Sequence, residues 1–404
     1  MRVCVVGAGA AGAVASIFLA RGGADVVLVE KNEKIGKKLY ITGKGRCNLT
    51  NDCEVQEFLK NVVHGEKFLR SALYSFTPQD TMELFESLGV PLMTERGNRV
   101  FPLSEKSSDI IRALANEIEN LGIDLKLNTE VKEIRKNGDN FEVLTPWDKI
   151  VCDKVVVATG GISYASTGST GDGYKFAKGF GHDIVEPKQA LCPLIVAENV
   201  SSLQGISLKN VSLTAYDENG KVICNEFGEM MFTDRGITGP IVLTTSSLVN
   251  RKNKVKLSVD LKPALDEKTL DARILRDFDE RKNQDLKNVT RALLPERLNL
   301  YVLKCAGLKE SKKVNEVTKE ERKALVDTVK NLQFTLSGLA PFTEAVVTSG
   351  GVSLKDLKPS GESRLSSGLY FVGETVDIDA LTGGFNLQLA FATAVACARD
   401  ILKA

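Results

Sequence analysis

Gly7-Ala8-Gly9-Ala10-Ala11-Gly12 reads GxGxxG between a β-branched run, Arg2 to Val6, and an alanine-rich stretch, Ala10 to Arg21. In that setting Gly7 makes a tight turn, Gly9 lets a pyrophosphate approach the backbone, and Gly12 lets a helix pack on the strand. The helix start offers free N–H groups and a positive dipole end to phosphate oxygens. A second buried run, Asp25 to Val29, stops at Glu30. A carboxylate there accepts hydrogen bonds from ribose hydroxyls and repels a ribose 2′-phosphate. Strand, turn, helix, strand and acid follow in order, so a dinucleotide site is expected.

The later glycines choose the dinucleotide. Val155 to Gly161 (VVVATGG) ends a buried strand at a turn, Leu369 to Glu374 (LYFVGE) ends another, and Thr382-Gly383-Gly384-Phe385-Asn386 precedes a last helix. A strand–glycine–helix junction returning to the first βαβ unit suits FAD, which is longer than one such unit. A helix N-terminus there can stabilise the negative charge of a reduced flavin. No second complete GxGxxG has its own strand and acid, so NADH or NADPH is expected to dock transiently as electron donor.

Few other side chains bear chemistry. Arg46 is the candidate catalytic residue, as a donor to an anionic flavin locus or to a substrate carbonyl oxygen. Asn48 is expected to pin the loop from Gly43 to Asn51. Cys47 and Cys53, six positions apart without a CxxC, are read as packed cysteines. Asp172 is read as a helix cap, Tyr164 and Tyr174 as structural or as proton donors, and His64 and His182 as structural or surface residues. The cluster Lys31, Lys34, Lys37, Lys38, Lys44 and Arg46 either steers an acidic ligand or is a solvated loop. No metal centre is expected.

The elements that must position these residues alternate along a chain of 404 residues, long enough for two or three domains. Lys and Arg number 53 against 52 Asp and Glu, for a net charge of +1. That balance argues against a nucleic-acid or membrane partner and leaves a small-molecule substrate. Eight scattered cysteines fit reduced thiols. Glycines interrupt the apolar N-terminus, which argues against a signal peptide, and a cytoplasmic protein is expected. Thr77-Pro78 opens a helix, Ser107-Ser108 another, and Asn137-Gly138-Asp139-Asn140 turns a hairpin. Short strands run from Pro193 to Leu261, and helical periodicity from Asp266 to Leu332. The expected division is an α/β domain from 1–189 and 341–404, a β-barrel-like insertion at 190–264, and a helical part at 265–340.

These segments resemble the HI0933-like or BaiN-like group of NAD(P)/FAD-dependent oxidoreductases. The motifs are GAGAAG at Gly7, GKGRCNLTN from Gly43 to Asn51, ATGG at Ala158, GSTGDGY from Gly168 to Tyr174, and GLYFVGETVDIDALTGGFNLQLA from Gly368 to Ala390. The resemblance runs along nearly the whole chain. It implies an α/β fold with a Rossmann-like FAD-binding domain of the GR2 type, an inserted β-barrel-like domain and a small helical subdomain. It implies flavin contacts at Gly7, Gly9, Ala10, Ala11, Gly12, Glu30, Lys31, Gly45, Arg46, Cys47, Asn48, Ala158, Thr159, Gly160, Gly373, Glu374, Gly384, Phe385 and Asn386. Val131, in a strand from Thr129 to Ile134, is similar to a position whose backbone clamps adenine. Three departures weaken any transfer of substrate: Lys44 replaces a glycine, Phe385 a tyrosine, and Pro359 to Leu365 lacks a TMESK-like run. The resemblance implies an NAD(P)H-linked reductase of an activated C=C bond, such as a 3-oxo-Δ4,6 bile acid. The alternatives are an aminoacetone-type amine oxidase producing hydrogen peroxide and an RNA-associated flavoprotein.

Overall fold

The computed structural model describes residues 1–403 and divides the chain into two compact units, Met1–Ala190 with Pro341–Ala404, and Leu191–Ala340. In the first unit a five-stranded parallel sheet runs in the order Leu369–Phe371, Lys154–Val157, β1 (Arg2–Val6), β2 (Asp25–Val29), Asp124–Lys126. Both faces are covered, which is why β1 is apolar throughout rather than alternating. Val3 and Val5 enter the core on one face, and Cys4 and Val6 the core on the other. On the first face lie α1 (Ala10–Arg21), the helix Ser107–Asn120 and the last helix, Phe385–Lys403. The last helix presses so closely on α1 that a Cβ at Gly22 would meet Leu402.

Short sheets surround this core. Thr77 and Asp80 form a capping box before Pro78–Ser87, and Asn137 pairs with Asn140 across a two-residue turn. Val62–His64 pairs with Asp379–Ala380, and Ile184–Ala190 with Val347–Val352. Ala190, expected to open the insertion, ends a strand of the first unit. Val131 lies ahead of the strand Glu133–Asn137 rather than within one. Asp172 is the first residue of the helix Asp172–Gly179, whose cap position is Gly171, so it does not cap.

The second unit is built on a closed six-stranded barrel, in the order Leu194–Val196, Gly236–Thr238, Val222–Phe232, Ser207–Tyr216, Lys256–Asp260, Leu332–Leu339. The closing strand comes after the helices Glu267–Glu280, Leu286–Thr290, Glu296–Cys305 and Lys319–Lys330. Barrel and helical parts are therefore not consecutive at 190–264 and 265–340. A barrel has no free edge only when its last strand returns to its first, and Leu332–Leu339 does so by pairing with both Leu194–Val196 and Lys256–Asp260. Leu213, Val259, Leu298 and Phe334 share its core.

Candidate active site: a dinucleotide cradle and its flanking polar network

The fingerprint turn is held by contacts only glycine allows. Gly7 has φ +101°, and a Cβ there would lie 2.7 Å from Ala158 O; at Gly12 it would lie 1.7 Å from Gly7 O. At Gly9 a Cβ would meet nothing within 4 Å. The first turn of α1 behind it has no side-chain cap, so its N–H groups donate no hydrogen bond to a cap side chain. Glu30 fastens the turn from below: one carboxylate oxygen accepts from Ala8 N at 2.8 Å, the other from Asn32 N at 2.9 Å and the Asn32 amide at 2.6 Å.

Gly43, Lys44, Gly45 and Cys47 all take left-handed backbone, with φ of 56°, 59°, 84° and 61°. This run curls the loop and turns Arg46 onto the Phe101 ring, 4.1 Å from its centroid. The guanidinium pairs with Glu95, and with Glu105 at 3.0 Å; its Nε is buried without a partner among the described residues. Arg46 was expected to meet developing charge on flavin or substrate, yet two carboxylates already neutralise it. Cys47 is fully buried, and burial pushes its thiol up to about 12, which removes thiolate chemistry near neutral pH. The Asn48 amide spans Thr50 O at 3.2 Å and Gly384 N at 3.0 Å, the orientation that matches donor to acceptor, so it pins the loop to the start of the last helix. Gly384, at φ +95°, would place a Cβ 2.2 Å from Thr50 O.

Glu374 gathers the other segments. It accepts from Lys38 at 2.7 Å, Ser163 Oγ at 3.0 Å and Thr348 N at 2.7 Å. Lys31 pairs with Asp172 at 2.8 Å and bonds Thr170. Lys37 pairs with Glu33, and Lys34 lies over Tyr40. Four of the six cationic loop residues are thus locked in ion pairs, and a freely solvated basic loop is not what forms. Gly160 N donates to Thr375 Oγ1, and Gly373 N to Thr393 Oγ1. The Thr159 and Tyr174 hydroxyls are buried without partners among the described residues, and burial raises Tyr174 well above the ordinary phenol range. Phe385 packs edge-on to Phe58, and Asn386 bonds Ala380 N, Ala380 O and Leu381 O.

Both histidines have partners that sequence reasoning missed. His182 is buried, with Nδ1 on Ala177 O at 3.0 Å and Nε2 on Ser363 Oγ at 2.8 Å. His64 Nδ1 lies 2.6 Å from Asp379 Oδ1, which also accepts from Ser349 Oγ at 3.1 Å. These residues stand 315 positions apart, and only the pairing of their two strands brings them together. Among the described residues no group of three His, Cys, Asp or Glu could hold a metal, and no helix is long and apolar enough to cross a membrane.

The open cradle at Gly9, the uncapped helix start and the orphaned Thr159 hydroxyl fit a dinucleotide whose phosphates and hydroxyls would fill them. The chain is 31% identical over 406 residues to ribosomal RNA dihydrouridine synthase of Escherichia coli, covering 99% of this chain and 98% of that one. It is 28% identical over 401 residues to 3-dehydro-bile acid delta(4,6)-reductase of Clostridium scindens, covering 97% of each. Its fold matches 3-ketosteroid delta1-dehydrogenase of Sterolibacterium denitrificans with a TM-score of 0.53 at 12% identity, over 99% of each chain. The family described as HI0933-like protein Rossmann domain matches residues 1–400, and the chain belongs to that family of FAD-dependent oxidoreductases.

Proposed function

We propose that this protein takes hydride from NADH or NADPH through FAD and saturates a C=C bond conjugated to a carbonyl, in the uracil ring of a ribosomal RNA. The observation that carries the reading is shared chemistry among full-length relatives. Forming dihydrouridine removes the ring double bond beside a carbonyl of uracil, and a Δ4,6-reductase of a 3-oxo acid removes a conjugated C=C bond. Bound FAD supplies the hydride chemistry common to both.

The chain's own residues bind, orient and seal. The N–H groups of Gly9, Ala10, Ala11 and Gly12 would receive the pyrophosphate, Glu30 the ribose, and the backbone at Val131 the adenine. Ala158, Thr159 and Gly160, with Gly373 and Glu374, would help hold the cofactor. Gly45, Arg46, Cys47 and Asn48 in the loop, and Gly384, Phe385 and Asn386 at the helix start, would hold the ring end. Lys31 and Lys38 keep the surrounding loops in place through Asp172 and Glu374. Arg46 positions the loop in this reading, because Glu95 and Glu105 hold its charge.

RNA rather than a bile acid is favoured by how charge is distributed. Residues 251–330 carry 21 Lys and Arg against 14 Asp and Glu, an excess of seven in a chain of net +1. A polyanion rewards such a local excess through counterion release, whereas a single carboxylate gains little from it. The test is anaerobic. NADH and then NADPH are added to the holoprotein, and the reduced flavin is challenged with unmodified ribosomal RNA, with a 3-oxo-4,6-diene bile acid, and with neither. Flavin reoxidation by the RNA together with dihydrouridine in its digest supports the reading. Reoxidation by the bile acid alone moves the substrate to the steroid class. A flavin reduced by aminoacetone and reoxidised by oxygen with peroxide replaces the reductase by the oxidase.

A further inference from the structure

The reaction proposed above needs a proton as well as a hydride, and we infer that His64 delivers it, with Asp379 and Ser349 as positioning residues. This inference rests on the C=C reductase reading.

Asp379 is wholly buried, and its Oδ2 has no hydrogen-bond partner among the described residues. A buried carboxylate is costly unless paired. Here its other oxygen takes His64 Nδ1 at 2.6 Å and Ser349 Oγ at 3.1 Å. A ring nitrogen facing a carboxylate oxygen carries a hydrogen, so the contact fixes the ring's orientation and leaves Nε2 as the outward atom. The His64 side chain is 25% exposed while its partner is not exposed at all, the arrangement of a titratable group held from behind and open in front.

The dyad borders elements assigned above to the cofactor. Val62–His64 pairs with Asp379–Ala380, and Ala380 is clamped through both its N–H and its carbonyl by Asn386 in the first turn of the last helix. Ser349 follows Thr348, whose N–H is held by Glu374. Gly65, at φ +85°, would bring a Cβ within 2.7 Å of Ile378, so the strand carrying His64 is seated tightly against the strand carrying Asp379. Among the groups sequence reading named as proton donors, Tyr174 is buried and holds its proton too firmly to give it up near neutral pH.

The step balances as follows. The substrate's β carbon accepts a hydride, which brings both electrons. The π bond opens toward the α carbon, and that carbon takes the proton from Nε2 of the imidazolium. One C–H bond forms at each carbon, the N–H bond breaks, and water restores the proton to the neutral ring.

The experiment separates the two half-reactions in holoprotein carrying His64→Gln or Asp379→Asn, and adds nitrogen-15 NMR of the imidazoles. The chain has two histidines, so His182→Gln assigns the spectrum. Reduction by NADH or NADPH is expected to stay within about twofold of wild type. Reoxidation by the unsaturated substrate should slow by about 10²- to 10⁴-fold, the usual worth of a positioned general acid. The His64 Nδ1 proton resonance, present in wild type without substrate, should be lost in Asp379→Asn. Wild-type reoxidation rates in His64→Gln, or an Nδ1 that carries no proton, would overturn the role of His64 alone. A wild-type flavin that no conjugated substrate reoxidises overturns the reductase reading, and the proton donor with it.

Discussion

Gly9→Ala separates the fold from the cofactor. Gly9 has φ −77° and ψ −164°, a conformation alanine adopts freely, and the added Cβ meets no protein atom within 4 Å. Alanine is a poorer helix cap than glycine by roughly 0.5–1 kcal/mol. It also lowers the entropy of the unfolded chain by about 0.4–1 kcal/mol. The two offset, and the apoprotein should melt within a few degrees of wild type. The methyl group instead fills the space a pyrophosphate would enter. Displacing the phosphates from two backbone N–H groups, each worth about 1.5 kcal/mol toward a charged acceptor, costs about 3 kcal/mol. That is roughly a hundredfold in FAD affinity. Stripping the flavin and titrating FAD back while following its fluorescence measures it. An alanine variant that takes up FAD as tightly as wild type would refute the placement of the phosphates over this turn. Gly12→Ala supplies the contrast. Its Cβ would stand 1.7 Å from a backbone oxygen that cannot move aside, so this variant should lose at least about 3 kcal/mol of stability before any question of cofactor arises.

Three more outcomes follow from the side-chain network. Glu374→Gln takes the charge from a mostly buried pair with Lys38 and weakens the bonds from Ser163 and Thr348; the free energy of unfolding, read by denaturant titration, should fall by about 2 kcal/mol, between the worth of exposed and buried pairs. Alkylation at pH 8 read by mass spectrometry should label exposed Cys305 and spare Cys47, whose thiol burial pushes up to about 12. Burial holds His182 below its ordinary value of 6.5, so the unfolded chain binds that proton more readily; the contribution is complete above about pH 6.5 and is lost as pH falls below it. The melting temperature should therefore drop between pH 7 and 5.5, and His182→Gln should flatten that slope.

The fingerprint, its strand–helix–strand frame and the hairpin at Asn137 were legible because each rests on residues a few positions apart. What escaped was set by topology. Arg46 reads as a free cation until the loop meets the strands carrying Glu95 and Phe101, and Lys31 until the helix start at Asp172 arrives. His64 has no neighbour to mark it; only the register of Val62–His64 on Asp379–Ala380 makes the pair. The extent of the barrel was misjudged for a related reason. The periodicity of Asp266 to Leu332 announces helices, but no local pattern says that the strand after them belongs to a sheet begun near Leu194. A balanced net charge likewise conceals the local excess of basic residues at 251–330.

The parallel sheet of the first unit has a consequence for how the protein is made. Its edge strand, Leu369–Phe371, pairs with Lys154–Val157, and the last helix covers α1. Roughly 190 residues must therefore wait on the ribosome's product with one sheet edge bare and an apolar helix face uncovered, while Leu191–Ala340, contiguous in sequence, has all of its strands at hand. Domains generally fold as units during synthesis, and exposed edges invite mispairing. The barrel can therefore close from one contiguous segment, whereas the parallel sheet of the first unit is complete only once Leu369–Phe371 has paired with Lys154–Val157.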